Sequence, residues 1–258
     1  MDVASLQVTV RTSLGTPEAP SRAAIEAAQV WALDERAELG HGDFVYSPRE
    51  LAASYADTER QRSVLVTAHE GDRCAGLIRL QLPDVDNQRL VAADVRLDPA
   101  FDAAAILTGM WTVVTDLLAA EERHTIIVWH HSALPGERFG STGNNINLSP
   151  KTGAGAVRRT SVTDWLQARG FELEQVEVAS TLDVAEALAR AVGLESAGAV
   201  ASPGYDVVSW VGPTPPELQD AMAAQRARMS TDVPMGEIAM EPEVWDAARV
   251  RPRTPRSR

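Results

Sequence analysis

Few side chains in this sequence have the types and the spacing that catalysis or metal binding requires. Cys74 is the only cysteine, so the chain has neither an internal disulfide nor a metal site built from several cysteines. His130 and His131 are adjacent at a predicted strand end, where paired histidines are more often surface residues than metal ligands. The sequence contains no nucleophile elbow, zinc-binding helix motif or phosphate-binding P-loop. These residues therefore predict no metal site, and they leave the reaction class open.

The composition narrows the classes of partner. The net charge is −12, and an acidic chain lacks the basic face that a general nucleic-acid binder needs. The hydrophobic share of 45% and the charged share of 23% are those of a soluble globular protein with a core. The N-terminus has no basic stretch followed by an apolar one, which together with the lone cysteine favours a cytoplasmic location. The prolines and arginines of residues 251–258 predict a disordered tail.

The elements that must position any site follow from the hydrophobic periodicity. Their order is strand, two helices, three strands, helix, strand, loop, helix and strand, which predicts a mixed α/β sheet covered on both faces. The predicted strands are residues 6–10, 64–66, 77–82, 90–97, 125–129 and 171–178, the last with a bulge at Gln175. The predicted helices begin after Ser21, at Pro48, at Ala103 and at Ser161, and a long loop covers residues 132–156.

Three details of these elements can be checked against a structure. The first helix has an apolar face made of Ile25, Ala28, Val30, Trp31 and Leu33. The helix near residue 161 opens with a capping box formed by Ser161 and Asp164. The apolar segment 103–120 carries one charge, Asp116, and its threonines and short length favour a helix packed on the sheet over a membrane span.

Residues 205–250 resemble the start of a second copy of the first domain. The segments 42–51 and 236–245 share glycine, acidic, apolar and proline positions, and each follows a predicted helix and strand. The second strand is Tyr205–Trp210, and residues 186–204 form the linker before it. Without a sheet of its own this partial repeat needs cover for its apolar residues, against the first domain or across a homodimer; these are Trp210, Leu218, Met222, Met229 and Trp245.

The element order and several short sequence segments resemble those of the GNAT acetyltransferase superfamily, in particular the N-terminal half of tandem-GNAT proteins from high-GC bacteria. The residues that carry the resemblance are the segments 74–80, 82–87, 95–99, 170–177, 228–236 and 243–249. The resemblance implies a GNAT-like acyl-CoA N-acyltransferase fold over residues 1–185, followed by the partial second repeat. It also implies acetyl-CoA as cofactor and a small-molecule amine as substrate.

The resemblance places the acetyl-CoA site at the end of one strand and the start of the next helix. In GNAT enzymes the exposed backbone of the strand corresponding to Ala93–Leu97 pairs with the pantetheine arm, which points to Val95 and Leu97. The helix start then binds the pyrophosphate through open backbone N–H groups and basic side chains. The positions that match this motif are Asp102, Ala103, Ala105, Ile106 and Leu107.

This sequence departs from the motif at each defining position. Asp102 stands at the basic position, Ala105 at the first glycine, and Leu107 at the second small residue. A carboxylate repels a pyrophosphate, so we interpret Asp102 as a helix N-cap, and we expect Leu107 to crowd the phosphate position. The acetyl-CoA motif is therefore degenerate.

The catalytic groups that the resemblance implies are also sparse. Asp94 lies on the expected strand as a candidate general base. The tyrosine that protonates the leaving thiolate in GNAT enzymes has no counterpart in residues 163–169, so the general acid is unknown. Two hypotheses stay open: a GNAT-like protein with a binding or scaffolding role, and an active N-acyltransferase acting on a small amine.

Overall fold

The computed structural model describes residues 6–56, 58, 60–136, 147–232 and 236–251. Its main sheet has five strands in sequence order. The strands are β1 (Leu6–Arg11), β2 (Gln61–Glu70), β3 (Arg73–Pro83), β4 (Leu90–Leu97) and β5 (Thr125–Trp129). Neighbouring strands are antiparallel except β4 and β5, which are parallel and joined by a crossover helix. The predicted mixed α/β fold class is confirmed, and the order of elements agrees with the predicted one from β1 to β5.

Helices cover both faces of this sheet. On one face lie α1 (Arg22–Leu39) and α2 (Pro48–Ser54), packed with Leu65 and Leu77 of the sheet. On the other face lies α3 (Ala103–Ala120), packed with Val66 and Ile78. Because successive strand residues point to opposite faces, neighbouring residues such as Leu65 and Val66 serve the two cores.

The predicted helix starts of α1 and α2 are confirmed in detail. The Ser21 hydroxyl accepts from the N–H of Ala24 at 3.3 Å. At α2 the Ser47 hydroxyl and the Glu50 carboxylate exchange bonds with each other's backbone N–H groups, which is a complete capping box. These caps are local, so the sequence alone suffices to predict them.

The apolar face of α1 was predicted wrongly in part. Ile25 and Leu33 are 45% and 41% exposed, whereas Asp34 and Glu35 are buried. Ala28, Val30 and Trp31 are buried as expected. The buried face therefore continues from Trp31 into carboxylates, and this places acidic groups next to the sheet.

The apolar segment predicted to form a sheet-packed helix does so as α3. By length and composition α3 is the one candidate for a membrane span in the described part of the chain. In the structure it contacts β1, β2 and β3, and Met110 and Val114 are fully buried in the core. Gly76 permits this close approach, because a Cβ there would lie 2.6 Å from Leu97 and 2.8 Å from Ile106.

The parallel pair β4–β5 separates before β4 ends. The ladder runs from Leu90 opposite Thr125 to Asp94 opposite Trp129. Val95–Leu97 continue to pair with β3 only. The backbone of β4 is thus open towards the β5 side at its carboxyl end, as the resemblance implies for a strand that splays from its neighbour.

The region after β5 differs from the predicted long loop. Two short strands, β6 (Asn147–Leu148) and β7 (Val157–Arg158), pair within it, and the N–H of Arg158 donates to the carbonyl of Ala133. Residues 137–146 of the predicted loop lie outside the described residues. The next helix, α4, spans Ser161–Gln167.

The predicted capping box at α4 is displaced by one residue. Thr160, not Ser161, is the N-cap, and it exchanges hydrogen bonds with Thr163 rather than Asp164. The carboxylate of Asp164 pairs with Arg159 instead. Threonine is a good N-cap, and two threonines three residues apart satisfy the same backbone groups as the predicted pair.

The predicted strand over residues 171–178, with its bulge at Gln175, does not form. These residues have no regular secondary structure. Their backbone contacts include a hydrogen bond from the N–H of Lys151 to the carbonyl of Leu173, and one from Thr152 to Glu174. In the described chain β5 is therefore the edge of the sheet.

The C-terminal segment also departs from the prediction. Most of the predicted linker 186–204 belongs to an exposed helix, α5 (Val184–Ala201), and the predicted strand Tyr205–Trp210 has no regular structure. A 3₁₀ turn (Pro216–Leu218) leads into α6 (Gln219–Asp232), and α7 (Ala247–Val250) begins after Asp246 rather than at Pro242. The division into two domains stays a prediction.

The five apolar residues predicted to be covered in this segment are only partly shielded from solvent. Trp210 is 38% and Met229 54% exposed, and the other three predicted residues are half-buried. Ala223 and Val250 are the buried apolar residues here. Helix α6 packs on α7, so part of the cover is supplied from within the segment itself.

Side chains of the β3–β4 turn hold the end of the described chain. The amide of Asn87 accepts from the N–H of Glu241 at 2.7 Å and donates to the Glu241 carbonyl at 3.4 Å. Arg249 forms an ion pair with Asp86, and Arg60 donates to the Arg249 carbonyl. These contacts hold Glu241 and Arg249 against the β3–β4 turn and the start of β2.

Candidate functional site

A cavity of about 920 Å³ opens where β4 and β5 separate. One wall is β5 and the residues that follow it, and the opposite wall is residues 171–179 with Glu237–Ala239. Aromatic residues of α1 and the following loop, among them Trp31, Phe44 and Tyr46, form a third side. This cavity is the candidate functional site.

Asp94, the predicted base, lies in the wall of this cavity. Its carboxylate is 3.8 Å from the guanidinium of Arg96, and its side chain is 21% exposed. The site therefore contains a carboxylate that a ligand can reach. The predicted absence of a tyrosine in α4 is correct, but Tyr46 lines the cavity from a loop that the resemblance does not point to.

Arg96 is the centre of the polar wall. It is 3% exposed, and its guanidinium lies 4.4 Å above the ring of Trp31. Its Nε is 3.8 Å from Oδ2 of Asp34, which comes from α1. Burial raises the pKa of Asp34 to about 6, although Arg96 and the Leu97 N–H both favour the ionised form. Sheet and helix thus share a buried ion pair beside the cavity.

The same two side chains satisfy the open backbone of β4. The N–H of Leu97 donates to Oδ1 of Asp34 at 3.0 Å. The carbonyl of Val95 accepts from Nη1 of Arg96 at 2.7 Å. The N–H of Asp98 donates to the Ala75 carbonyl of β3. Because backbone groups alternate in direction along a strand, those of Val95 and Leu97 point to the side of β4 away from β3. Two of the groups that the resemblance assigns to the pantetheine arm, the Leu97 N–H and the Val95 carbonyl, are therefore already paired.

Two histidines complete this wall. Arg96 can only donate, so its 3.1 Å contact with Nε2 of His131 makes that nitrogen an acceptor and places the proton of a neutral ring on Nδ1. Nε2 of His130 lies 3.4 Å from the Thr160 hydroxyl. Burial and the Arg96 charge lower the pKa of both imidazoles to about 3. Both histidines are consequently neutral at physiological pH.

The start of α3 is capped by its own chain. Oδ1 of Asp102 accepts from the N–H of Ala104 at 2.9 Å and from Ala105 at 3.2 Å. This is the predicted N-cap geometry, and it occupies the backbone groups on which an anion would bind. A cation also lies near this helix start: the guanidinium of Arg73, at the beginning of β3, pairs at 2.7 Å with Asp98, which precedes α3.

The remaining motif positions are divided between surface and core. Ala103 and Ala105 are half-buried, whereas Ile106 and Leu107 are each 1% exposed within the core cluster. The expectation that Leu107 crowds the phosphate position is wrong, because its side chain packs under the helix rather than over its start. Leucine at this position serves the sheet contact.

The carboxylates with metal-like spacing in the described residues are Glu172, Glu174 and Glu237. The ammonium group of Lys151 lies between them, at 2.5 Å from Glu172 and Glu237 and 3.1 Å from Glu174. A cation of the chain itself thus takes this position. His130 and His131 are engaged with protein groups, as described above.

Sequence reasoning missed Asp34 and Arg96, which organise the site. A signal for Asp34 was present, because the stripe Ala24, Ala27, Trp31 continues at helical spacing to Asp34 and Glu38. Carboxylates at core-facing positions of a helix demand a buried partner. The partner itself, on a strand more than 60 residues away, carries no such local signal.

Comparison with known proteins gives structural likeness only. No protein-family model matches the chain, and no curated protein matches by sequence. Similar solved structures include a tandem GNAT protein from the clavulanic acid biosynthesis pathway, with 14% identity and a TM-score of 0.45. That match covers 64% of this chain and 43% of the tandem protein, so this chain corresponds to less than half of its length.

Two further similar structures are acetyltransferases that match this chain over almost their whole length. One is an aminoglycoside acetyltransferase from an uncultured soil metagenomic sample, in complex with sisomicin, with 11% identity, a TM-score of 0.39 and coverage of 70% of this chain and 98% of the other. The other is a GNAT family protein from Streptococcus pneumoniae, with 12% identity, a TM-score of 0.37 and coverage of 69% and 98%. At these values no substrate or cofactor transfers to this chain, and its function must be argued from its own residues.

Proposed function

We propose that this protein is a GNAT-like binding protein whose acetyl-CoA site is closed by its own side chains. Its ligand site is the cavity between β5 and residues 171–179. The proposal is carried by one observation: intramolecular partners already occupy the Leu97 N–H and the Val95 carbonyl at the end of β4, and two N–H groups at the start of α3. Asp34 and Arg96 take the backbone of β4, and Asp102 takes the start of α3.

Displacing these partners is unfavourable. A pantetheine amide that took the Leu97 N–H would leave the buried Asp34 carboxylate short of a donor, which costs about 1–3 kcal/mol or more. At the helix start, a phosphate about 4 Å from Asp102 would be opposed by about 1 kcal/mol in water and about 4 kcal/mol at an effective dielectric of 20. The two penalties act on the same ligand, so micromolar affinity is not expected.

A second function is supported by the other wall of the cavity. Asp94 lines this space, and its carboxylate can accept a proton from an amine. This group fits the alternative of an active N-acyltransferase acting on a small amine. Acetyl-CoA, if bound, would supply the acyl group, while Asp94 would hold the amine and take its proton.

The deciding experiment is calorimetric titration of the full chain with acetyl-CoA, with free CoA as comparison. The expected result is no heat of binding at micromolar ligand. The variant Asp102→Arg with Ala105→Gly should bind CoA at least tenfold more tightly, because the charge is reversed and the backbone opened. Asp102→Asn is the matched control, since it keeps the cap and removes the charge. Leu107 is left unchanged because it is core.

Either of two outcomes would overturn the proposal. Micromolar binding by the unmodified chain would show that the paired groups do not close the site. No gain in the folded double variant would show that Asp102 is not what excludes the phosphates. A release of free thiol from acetyl-CoA in the presence of amines, lost in Asp94→Asn, would establish the second function instead.

A further inference from the structure

The outer edge of β5 faces the cavity without a strand partner. Within the described residues β5 pairs with β4 only, and Thr125–Trp129 line the cavity along their whole length. An edge strand presents unpaired N–H and C=O groups, which must find water, a ligand or another strand. Four residues after β5, the carbonyl of Ala133 accepts from the N–H of Arg158, so the open edge ends before this residue.

The segment on the opposite wall has the pattern of a strand. Residues 171–178, called the strap below, alternate in sequence as FELEQVEV and line the same cavity. The strap starts from a fixed point, because the N–H of Phe171 donates to the Leu166 carbonyl and its ring meets Trp111 edge to face at 5.6 Å. Its side-chain pattern would suit a sheet edge, yet it stands away from β5.

A small set of contacts, called the latch below, holds the strap in this position. The ammonium of Lys151 pairs with Glu172 and Glu174 of the strap and with Glu237. The Glu174 carboxylate also accepts from the N–H of Glu237 at 2.9 Å. Backbone bonds from Lys151 and Thr152 to strap carbonyls add to it. The latch therefore ties the strap to two segments other than β5, at Lys151–Thr152 and at Glu237.

We propose that the strap moves between two positions, the latched one and one in which it joins β5 as a sixth strand and fills the cavity. The latch is partly exposed, with Glu172 and Glu237 side chains 64% and 76% accessible, and such ion pairs contribute little in water. The unpaired edge of β5 favours the alternative position. A molecule in the cavity stabilises the latched position because it occupies the space that the strap would fill.

The test is hydrogen–deuterium exchange of the peptide that contains β5, in the full chain without added ligand. In Lys151→Met the latch loses its cation, and we expect the β5 amides to exchange about fivefold more slowly, the change that about 1 kcal/mol produces. Lys151→Arg is the matched control, because it keeps a cation among the three carboxylates. That control should exchange like the unmodified protein.

A second variant separates closure from other effects of removing the charge. Val176→Pro removes one backbone N–H from the middle of the strap and leaves the latch residues in place. Combined with Lys151→Met, it should restore fast exchange in β5. Unchanged or faster exchange in Lys151→Met would overturn the proposal, and so would protection that persists when Val176 is proline. Neither result depends on whether the chain binds acetyl-CoA.

Discussion

Asp34 shows how one buried side chain can decide whether a site is open. Its two oxygens serve different partners, one the backbone of Leu97 and the other the guanidinium of Arg96. A carboxylate that is merely buried would destabilise the fold, whereas a carboxylate shared by a strand and a helix fixes their separation. The closed state of the β4 backbone is therefore a property of the ion pair.

Asp34→Ala should lower the free energy of unfolding by about 3–5 kcal/mol, because the buried Arg96 charge loses its buried counter-ion and keeps only the partly exposed Asp94. The double variant Asp34→Ala with Arg96→Met should recover most of this loss, since neither member of the buried pair remains. Urea denaturation of both variants measures the difference. Equal stability of the single and double variants would show that the pair is not coupled.

The pH dependence of stability is governed by the same wall. Between about pH 5.5 and 6.5, above the range in which glutamates titrate, the unfolded chain binds up to two more protons at His130 and His131, whose native pKa is about 3, and up to one fewer at Asp34, whose native pKa is about 6. The net difference is one proton more in the unfolded state. Stability should therefore rise with pH across this window, by about 1.4 kcal/mol per pH unit.

Unfolding free energies at pH 5.5, 6 and 6.5 would measure this slope. Replacing both histidines with glutamine removes the two protons that the unfolded state gains and leaves the opposite contribution of Asp34. In that variant the slope should reverse its sign. A positive slope that survives the replacement would assign the effect to other groups.

At the scale of elements, the sequence predicts best what is determined locally. The caps of α1 and α2 depend on a few neighbouring residues, and both helix starts were predicted correctly. Residues 171–178 were predicted as a strand because they alternate, but a strand also needs a partner. Whether the edge of β5 is within reach is a tertiary matter that alternation does not encode.

The candidate site was predictable only where family resemblance indicated a position. Asp94 and the Asp102 cap were found, whereas Arg96, Tyr46 and the role of Asp34 were not. Their contributions arise from contacts between residues far apart in the chain. Leu107 was expected in the core helix and is buried there, and its direction away from the helix start is set by the packing of α3 on the sheet.

The attachment of the C-terminal segment depends on Asn87. Its side chain pairs with Glu241 as a short strand would, through one donor and one acceptor. Asn87→Ala should release residues 236–251 while the five-stranded sheet remains folded. Limited proteolysis should then cut this segment several-fold faster, with Gln88→Ala as control. Equal rates would show that the Arg249 contacts suffice to hold it.

At the scale of the whole molecule, the most open apolar surface lies beyond the sheet. Leu188 and Val192 of α5 are 68% and 77% exposed, and Val207 and Val211 that follow are almost fully accessible. Such a surface needs cover in water. The partial second repeat was predicted from sequence to pack on the first domain or across a homodimer, and the described residues of one chain cover it only in part.

Deleting residues 205–258 should accordingly lower the solubility of the chain or change its oligomeric state. The expected change follows from the loss of the contacts that this segment makes with the first domain, Glu241 with Asn87 and Arg249 with Asp86. Light scattering coupled to gel filtration gives the mass, and a thermal melt gives the stability. If mass and melting temperature stay the same, residues 205–258 contribute to neither property.

The latch has a practical consequence, because Lys151 is the only lysine in the chain. An amine-reactive reagent can therefore modify one side chain only, besides the terminal amine. The three surrounding carboxylates raise the pKa of Lys151 and keep it protonated, which slows acylation. The labelling rate of this single amine thus reports, on the unmodified sequence, how much of the time the strap is released.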